Sequence, residues 1–157
     1  GGADAVIVET MMAIEECCVA VRAVRENTGL TCLASFTFDP QPDGGYASMM
    51  GVTPEQFAEK VLAAGAQIIG ANCGTGPDHM LKVVARLRAV TQAPLIAMPN
   101  AGMPELLHGQ TVFPESPEEM ALKVGRLVAA GATIIGGCCG TTPAHIAAMA
   151  RQLKVLR

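Results

Sequence analysis

Residues 64–80, AGAQIIGANCGTGPDHM, and residues 130–146, AGATIIGGCCGTTPAHI, follow one pattern. In each, a glycine (Gly65, Gly131) closes a helix and an apolar Ile-Ile pair starts a strand at once. A glycine-rich corner follows, and a proline (Pro77, Pro143) opens the next helix. Cys73 falls on Cys139, Gly74 on Gly140 and His79 on His145, while Asn72 falls on Cys138. A helix–turn–strand–corner–helix sequence used twice is the signature of successive βα units around a parallel sheet. Shared ancestry and turn geometry account for its glycines and prolines, but not for its cysteines.

The rest of the chain extends the same order. Short Val/Ile-rich runs predict strands near Ala3–Glu9, Thr31–Phe36, Gln67–Asn72, Pro94–Met98 and Thr133–Gly137. Thr53-Pro54-Glu55-Gln56 and Ser116-Pro117-Glu118-Glu119 are capping boxes with proline at the first helical position, and Thr142-Pro143 repeats the cap without the glutamate. Helices are therefore expected to begin at Pro54, Pro117 and Pro143. The connections after Phe36 and Met98 run for about fifteen residues, a length at which structureless loops are usually functional. Chemistry is expected at the carboxyl ends of the strands.

Five βα units do not close a sheet. An open doubly wound sheet is one solution, but no GxGxxG or GxxxxGK phosphate loop stands at any strand-to-helix corner. The better fit is an α/β fold made of the carboxy-terminal five βα units of a (β/α)8 TIM barrel, which needs eight parallel strands. Residues 1–157 would then be a partial barrel domain, about strands 4 to 8, with strands 1 to 3 absent.

Half of the 157 residues are hydrophobic and only 16% are charged, enough for a sizeable core. The net charge of −3 has no basic cluster, and one Tyr, no Trp and four Phe offer few stacking platforms, so nucleic acid is not an expected partner. No apolar run approaches a membrane span, and GGADAVIVET lacks the basic start of a signal peptide. A cytoplasmic protein without membrane partners is expected.

Six cysteines include two vicinal pairs, Cys17-Cys18 and Cys138-Cys139. Neighbouring Cα atoms are held too close for an unstrained disulfide, so metal binding or burial is expected. Cys73 ends one strand and Cys138-Cys139 end the strand two further on. Gly136-Gly137 and Gly140 supply the break that both members of a vicinal pair need to reach one ion. Three thiolates are a zinc-preferring set, and three protein ligands leave a fourth position open. Cys17 and Cys18, with Ile14 and Val21, have the spacing of a buried helix face, and Cys32 reads as core.

GANCGTGPDHM, PNAGMPELLHGQTVF, GGCCGTTPAHIAAM and ADAVIVETMMAIEE together resemble the homocysteine S-methyltransferase family. The resemblance implies a (β/α)8 barrel that transfers a methyl group to the thiolate of homocysteine, forming methionine. It implies Zn2+ on Cys73, Cys138 and Cys139, with Glu9 at the homocysteine amino group. Asn72 belongs to the substrate site too, expected to shape it rather than to ligate the metal. Methylcobalamin on a separate domain or protein, betaine and a sulfonium compound are open alternatives for the donor. A missing amino-terminal half-barrel or a corrinoid domain is the partner implied.

Other readings stay open beside this one. A non-catalytic zinc-binding fragment and a zinc hydrolase use the same thiols. Glu9 and Thr10 serve equally well as caps for the first helix. His79 and His145 suit the first turns of their helices, His108 is undecided, and the nine methionines suit gap-filling in the core, although Met98, Met103 and Met49-Met50 could line an apolar mouth.

Overall fold

The computed structural model describes residues 1–156. In chain order the elements are β1 (Ala5–Met11), α1 (Ile14–Asn27), β2 (Thr31–Phe36), a hairpin of β3 (Asp39–Pro40) and β4 (Tyr46–Ala47), and α2 (Pro54–Ala63). Then come β5 (Ile68–Asn72), α3 (Pro77–Val90), β6 (Leu95–Met98) and a second hairpin of β7 (Glu105–Leu107) and β8 (Gln110–Val112). The chain continues through α4 (Pro117–Ala129), β9 (Ile134–Ile135) and α5 (Pro143–Val155).

Helix starts are set locally. Thr53 and Gln56 exchange backbone and side-chain hydrogen bonds, as do Ser116 and Glu119, and both boxes carry proline in the first turn. Gly65 and Gly131 end α2 and α4 at φ of 105° and 110°, a conformation that strains any residue with a Cβ. Each glycine turns the chain directly into the next strand.

The main sheet has the order β1-β2-β5-β6-β9, parallel at every ladder. Sequential order, combined with the right-handed crossover that parallel βαβ units follow as a rule, puts every helix on one face, which is the winding of a barrel wall; a doubly wound sheet reverses direction partway. The α/β barrel class expected from the repeat is the one observed.

Alternation divides the sheet. Cys32, Ala34, Phe36, Ile69, Ala71, Leu95 and Ala97 face the helices and meet Val21, Phe57, Val61, Val83, Val84 and Leu87 in one buried core. The alternate positions face the concave side, where Ile7 and Ile134 are each 38% exposed. Gly70 sits on that side because a Cβ there would lie 1.8 Å from the Ile96 carbonyl oxygen.

Two expectations need correction. The connections after Phe36 and Met98 are not structureless, because each folds back as a short antiparallel hairpin. The second turns at His108-Gly109 with φ of 49° and 78°, the positive-φ pair typical of a two-residue type I′ hairpin. The last strand stops at Ile135 rather than Gly137, since the glycines after it leave the ladder.

Cys17 and Cys32 are fully buried and Cys18 is 8% exposed, as a core reading requires. Burial, reinforced by the neighbouring Cys18, Cys32 and Glu16, pushes the Cys17 thiol from 9.0 up to about 12. Burial also raises Cys18 and Cys32. A raised folded pKa leaves stability intact below the unfolded value of 9.0 and removes it as pH climbs through the folded one. Cys17 alone should then cost about 1.4 kcal/mol per pH unit across that window. Urea unfolding followed from pH 9.0 to about 12 should show at least this slope, and Cys17→Ala should reduce it.

Candidate metal centre

Three loops meet at the carboxyl rim of the sheet. Cys73 ends β5 at φ 59°, a left-handed turn that takes it out of the strand. Its N–H donates to the Met98 carbonyl at 3.1 Å, and the Thr75 N–H returns to the Cys73 carbonyl at 2.7 Å. Gly74 continues the bend at φ 65°. The other two cysteines sit in the corner between β9 and α5. There the Cys138 N–H donates to the Pro99 carbonyl at 2.9 Å, and the Cys138 carbonyl accepts from Thr141 Oγ1 at 2.7 Å. Gly140, at φ 79°, lies so close to Phe113 that a Cβ would approach the ring at 2.2 Å. The glycine break after β9 lets both vicinal thiols turn toward Cys73.

The sulfur atoms of Cys73, Cys138 and Cys139 all lie within 4.8 Å of one another, the one such group of His, Cys, Asp or Glu side chains among the described residues. Cys73 Sγ and Cys139 Sγ are 3.7 Å apart. That separation suits a shared ion: a tetrahedral site with Zn–S of about 2.3 Å has sulfurs roughly 3.8 Å apart. Cys73 and Cys138 are half-buried and Cys139 is exposed, so the cluster opens to solvent on one side. A soft, three-sulfur donor set with one open side fits a zinc ion.

Glu9 is exposed. Alternation from Val8, whose side chain is in the helix-facing core, turns it to the concave side of the sheet, outside the thiol cluster. Neither it nor Thr10 caps α1, whose N-cap is Ala13 without a side-chain bond. Thr10 instead breaks the strand at φ 59°, and the β1–β2 register shifts between Val8 and Met11. Asn72 is completely buried. Its Oδ1 accepts from the Thr10 N–H at 3.1 Å and from Ser35 Oγ at 2.6 Å, while its Nδ2 donates to Thr10 Oγ1 at 2.7 Å and to Cys138 Sγ at 3.7 Å.

The three histidines stand apart from the sulfurs. His145 Nδ1 accepts the Thr142 N–H at 3.1 Å, and its Nε2 lies 3.0 Å from the Glu115 carbonyl, to which it donates. This ties the first turn of α5 to the residue before the α4 cap, filling the place of the missing glutamate. His79 Nδ1 is 2.8 Å from Tyr46 Oη and pins the first hairpin to α3. His108 is an exposed turn residue of the second hairpin.

Asn100 escaped the sequence reading. It is 3% exposed, its Oδ1 accepts the Cys139 N–H at 3.1 Å, and its N–H donates to the Thr75 carbonyl at 3.1 Å. With the Ala101 N–H donating to the Cys139 carbonyl at 2.9 Å, this segment sits between the two cysteine-bearing corners. The available signals were its place two residues after β6, at the rim where the cysteines lie, and its inclusion in the stretch PNAGMPELLHGQTVF.

Comparison with known proteins adds an independent line. The family model described as homocysteine S-methyltransferase matches residues 1–153. Methionine synthase of Mycobacterium tuberculosis (strain ATCC 25618 / H37Rv) is 35% identical over 163 residues, a match that takes in 100% of this chain and 13% of that protein. Methionine synthase of Mycobacterium leprae (strain TN) is 32% identical over 150 residues, covering 93% of this chain and 12% of that protein. Among solved structures, the homocysteine methyltransferase MmuM from Escherichia coli superposes in its apo form with a TM-score of 0.75 at 24% identity, over 96% of this chain and 50% of that one. Its metallated form gives 0.75 at 26% identity, over 96% of this chain and 46% of that one. The chain therefore spans a small part of the curated relatives and about half of the solved ones.

Proposed function

This chain belongs to the homocysteine S-methyltransferase family, and from that premise we propose that it carries the thiol-binding side of a zinc-dependent homocysteine S-methyltransferase, an enzyme forming methionine. The observation that carries this reading is the convergence of three cysteine sulfurs within 4.8 Å at the strand carboxyl ends. Residues 1–157 supply about strands 4 to 8 of the barrel, so the methyl donor's site belongs to the whole enzyme.

Cys73, Cys138 and Cys139 would hold the metal. Zinc bound there supplies a Lewis acid that keeps a coordinating thiol ionised at neutral pH, where a free thiol of pKa ~8.5 is only a few per cent thiolate. The open side of the cluster, at Cys139, admits the substrate sulfur. With zinc in place, three cysteinate charges would leave electron density on a thiolate held there, the property a methyl acceptor needs. Glu9, a carboxylate on the concave face at the same rim, takes the ammonium group of homocysteine. The chain thus grips the substrate at both ends while the methyl group arrives from outside the rim.

Zinc X-ray absorption on the complete enzyme tests this reading. Adding homocysteine should replace a light-atom ligand by one further sulfur, and the bound thiol should release a proton. An unchanged sulfur count would instead favour a site in which the open position holds water.

A further inference from the structure

Asn72 is buried beyond the reach of any ligand, yet it touches both halves of the proposed thiol site. A primary amide offers two N–H donors and two acceptor lone pairs. Here all four are used: Thr10 N–H and Ser35 Oγ–H on the oxygen, Thr10 Oγ1 and Cys138 Sγ on the nitrogen. Reversing the amide would set its NH2 against the Thr10 N–H, which can only donate, so this contact assigns its orientation. No capacity remains for a substrate group.

Thr10 is the second half of the observation. A β-branched residue at φ 59° is strained, and such positions persist only where the surroundings hold them. Two of the four Asn72 bonds go to Thr10, one to its backbone and one to its side chain, while Ser35 on β2 and the Thr37 Oγ1 bond to the Asn72 carbonyl at 3.2 Å brace the asparagine from the next strand. The bend at Thr10 immediately follows Glu9.

We infer that Asn72 is a positioning residue whose amide clamps the Cys138 sulfur to the Glu9–Thr10 bend, setting the metal centre and the amino-binding carboxylate in one register. The inference rests on the metal reading above. It assigns Asn72 to the protein's own scaffold and not to contact with homocysteine.

Asn72→Asp is the informative variant. It keeps an oxygen for Thr10 N–H and Ser35, removes the N–H donated to sulfur along with the one donated to Thr10 Oγ1, and sets a carboxylate oxygen against the sulfur. Zinc affinity, measured by competition with a chromophoric chelator, should fall roughly 10- to 100-fold, the usual effect of losing a partner behind a metal ligand. In the cobalt-substituted protein the sulfur-to-metal charge-transfer band should move to lower energy, because the thiolate donor orbital loses a stabilising hydrogen bond. Thr10→Gly, which releases the strained bend and leaves the sulfur contact, should keep band and metal affinity but weaken homocysteine binding. Wild-type affinity and an unshifted band in a folded Asn72→Asp protein overturn the proposal and leave the metal reading standing. A wild-type protein with no such band overturns both. Should Asn72→Asp fail to fold, the side-chain amide protons of wild-type Asn72 decide by NMR in the metal-free protein: slow exchange supports the clamp, and exchange at the solvent rate overturns it.

Discussion

Cys139→Ala is expected to weaken zinc binding by a hundredfold or more while leaving the fold intact. Cys139 is the exposed member of the trio, and truncating an exposed side chain usually changes stability by less than about 0.5 kcal/mol. Its sulfur, 3.7 Å from that of Cys73, is nevertheless one of three that converge. Structural zinc sites bind with roughly 10–16 kcal/mol over four ligands, so one thiolate represents about 3 kcal/mol, a hundredfold or more in affinity. Cys73→Ala and Cys138→Ala should weaken binding equally. Cys32→Ala, in the core and outside the cluster, should keep it despite a larger loss of stability. Metal content after dialysis separates the cases: a full complement of zinc in the three cluster variants would remove the ligand assignment.

How much of this was legible in the sequence depends on the range of the interactions involved. Thr31–Phe36 and the helix starts at Pro54, Pro117 and Pro143 were expected where they occur, because alternation, capping boxes and proline act over a few neighbouring residues. The cysteine trio was legible because the repeat marks equivalent strand ends. Local signals also mark the hairpins: Asp43-Gly44 and His108-Gly109 are tight-turn pairs, and both long connections fold back around them. What local patterns do not carry is the set of hydrogen bonds around the cysteines. Asn72 and Thr10 are 62 residues apart, and Asn100 and Cys139 are 39 apart. Such contacts exist only after the barrel wall has curved, so no local pattern sets Asn100 apart from other polar loop residues. Thr10, read as a possible helix cap, is instead the strained bend beside Glu9.

Phe57→Ala should carry one of the larger stability losses of any single core change away from the metal. Phe57 on α2 is fully buried between Phe36, at the end of β2, and Phe38 just beyond it, with ring centroids 4.8 and 5.8 Å away. Deleting a ring from such a cluster removes its burial and leaves a cavity that rigid neighbours cannot fill, which costs about 3–5 kcal/mol. For a domain of ordinary stability, 5–15 kcal/mol, that is a large share. The site should feel the change too, since Ser35 and Thr37 flank Phe36 and both hydrogen-bond to Asn72. Phe57→Leu, which keeps most of the volume, should lose far less. Urea unfolding of the metal-free protein measures the loss directly. Repeating it with zinc tests whether the two regions are coupled, because an ion that binds only the folded state adds stability in proportion to RT ln(1 + [L]/Kd). If the ring cluster supports the rim through Ser35, Thr37 and Asn72, zinc should stabilise Phe57→Ala less than it stabilises the wild type. An equal increment would show that the metal corner holds its shape independently of the aromatic core.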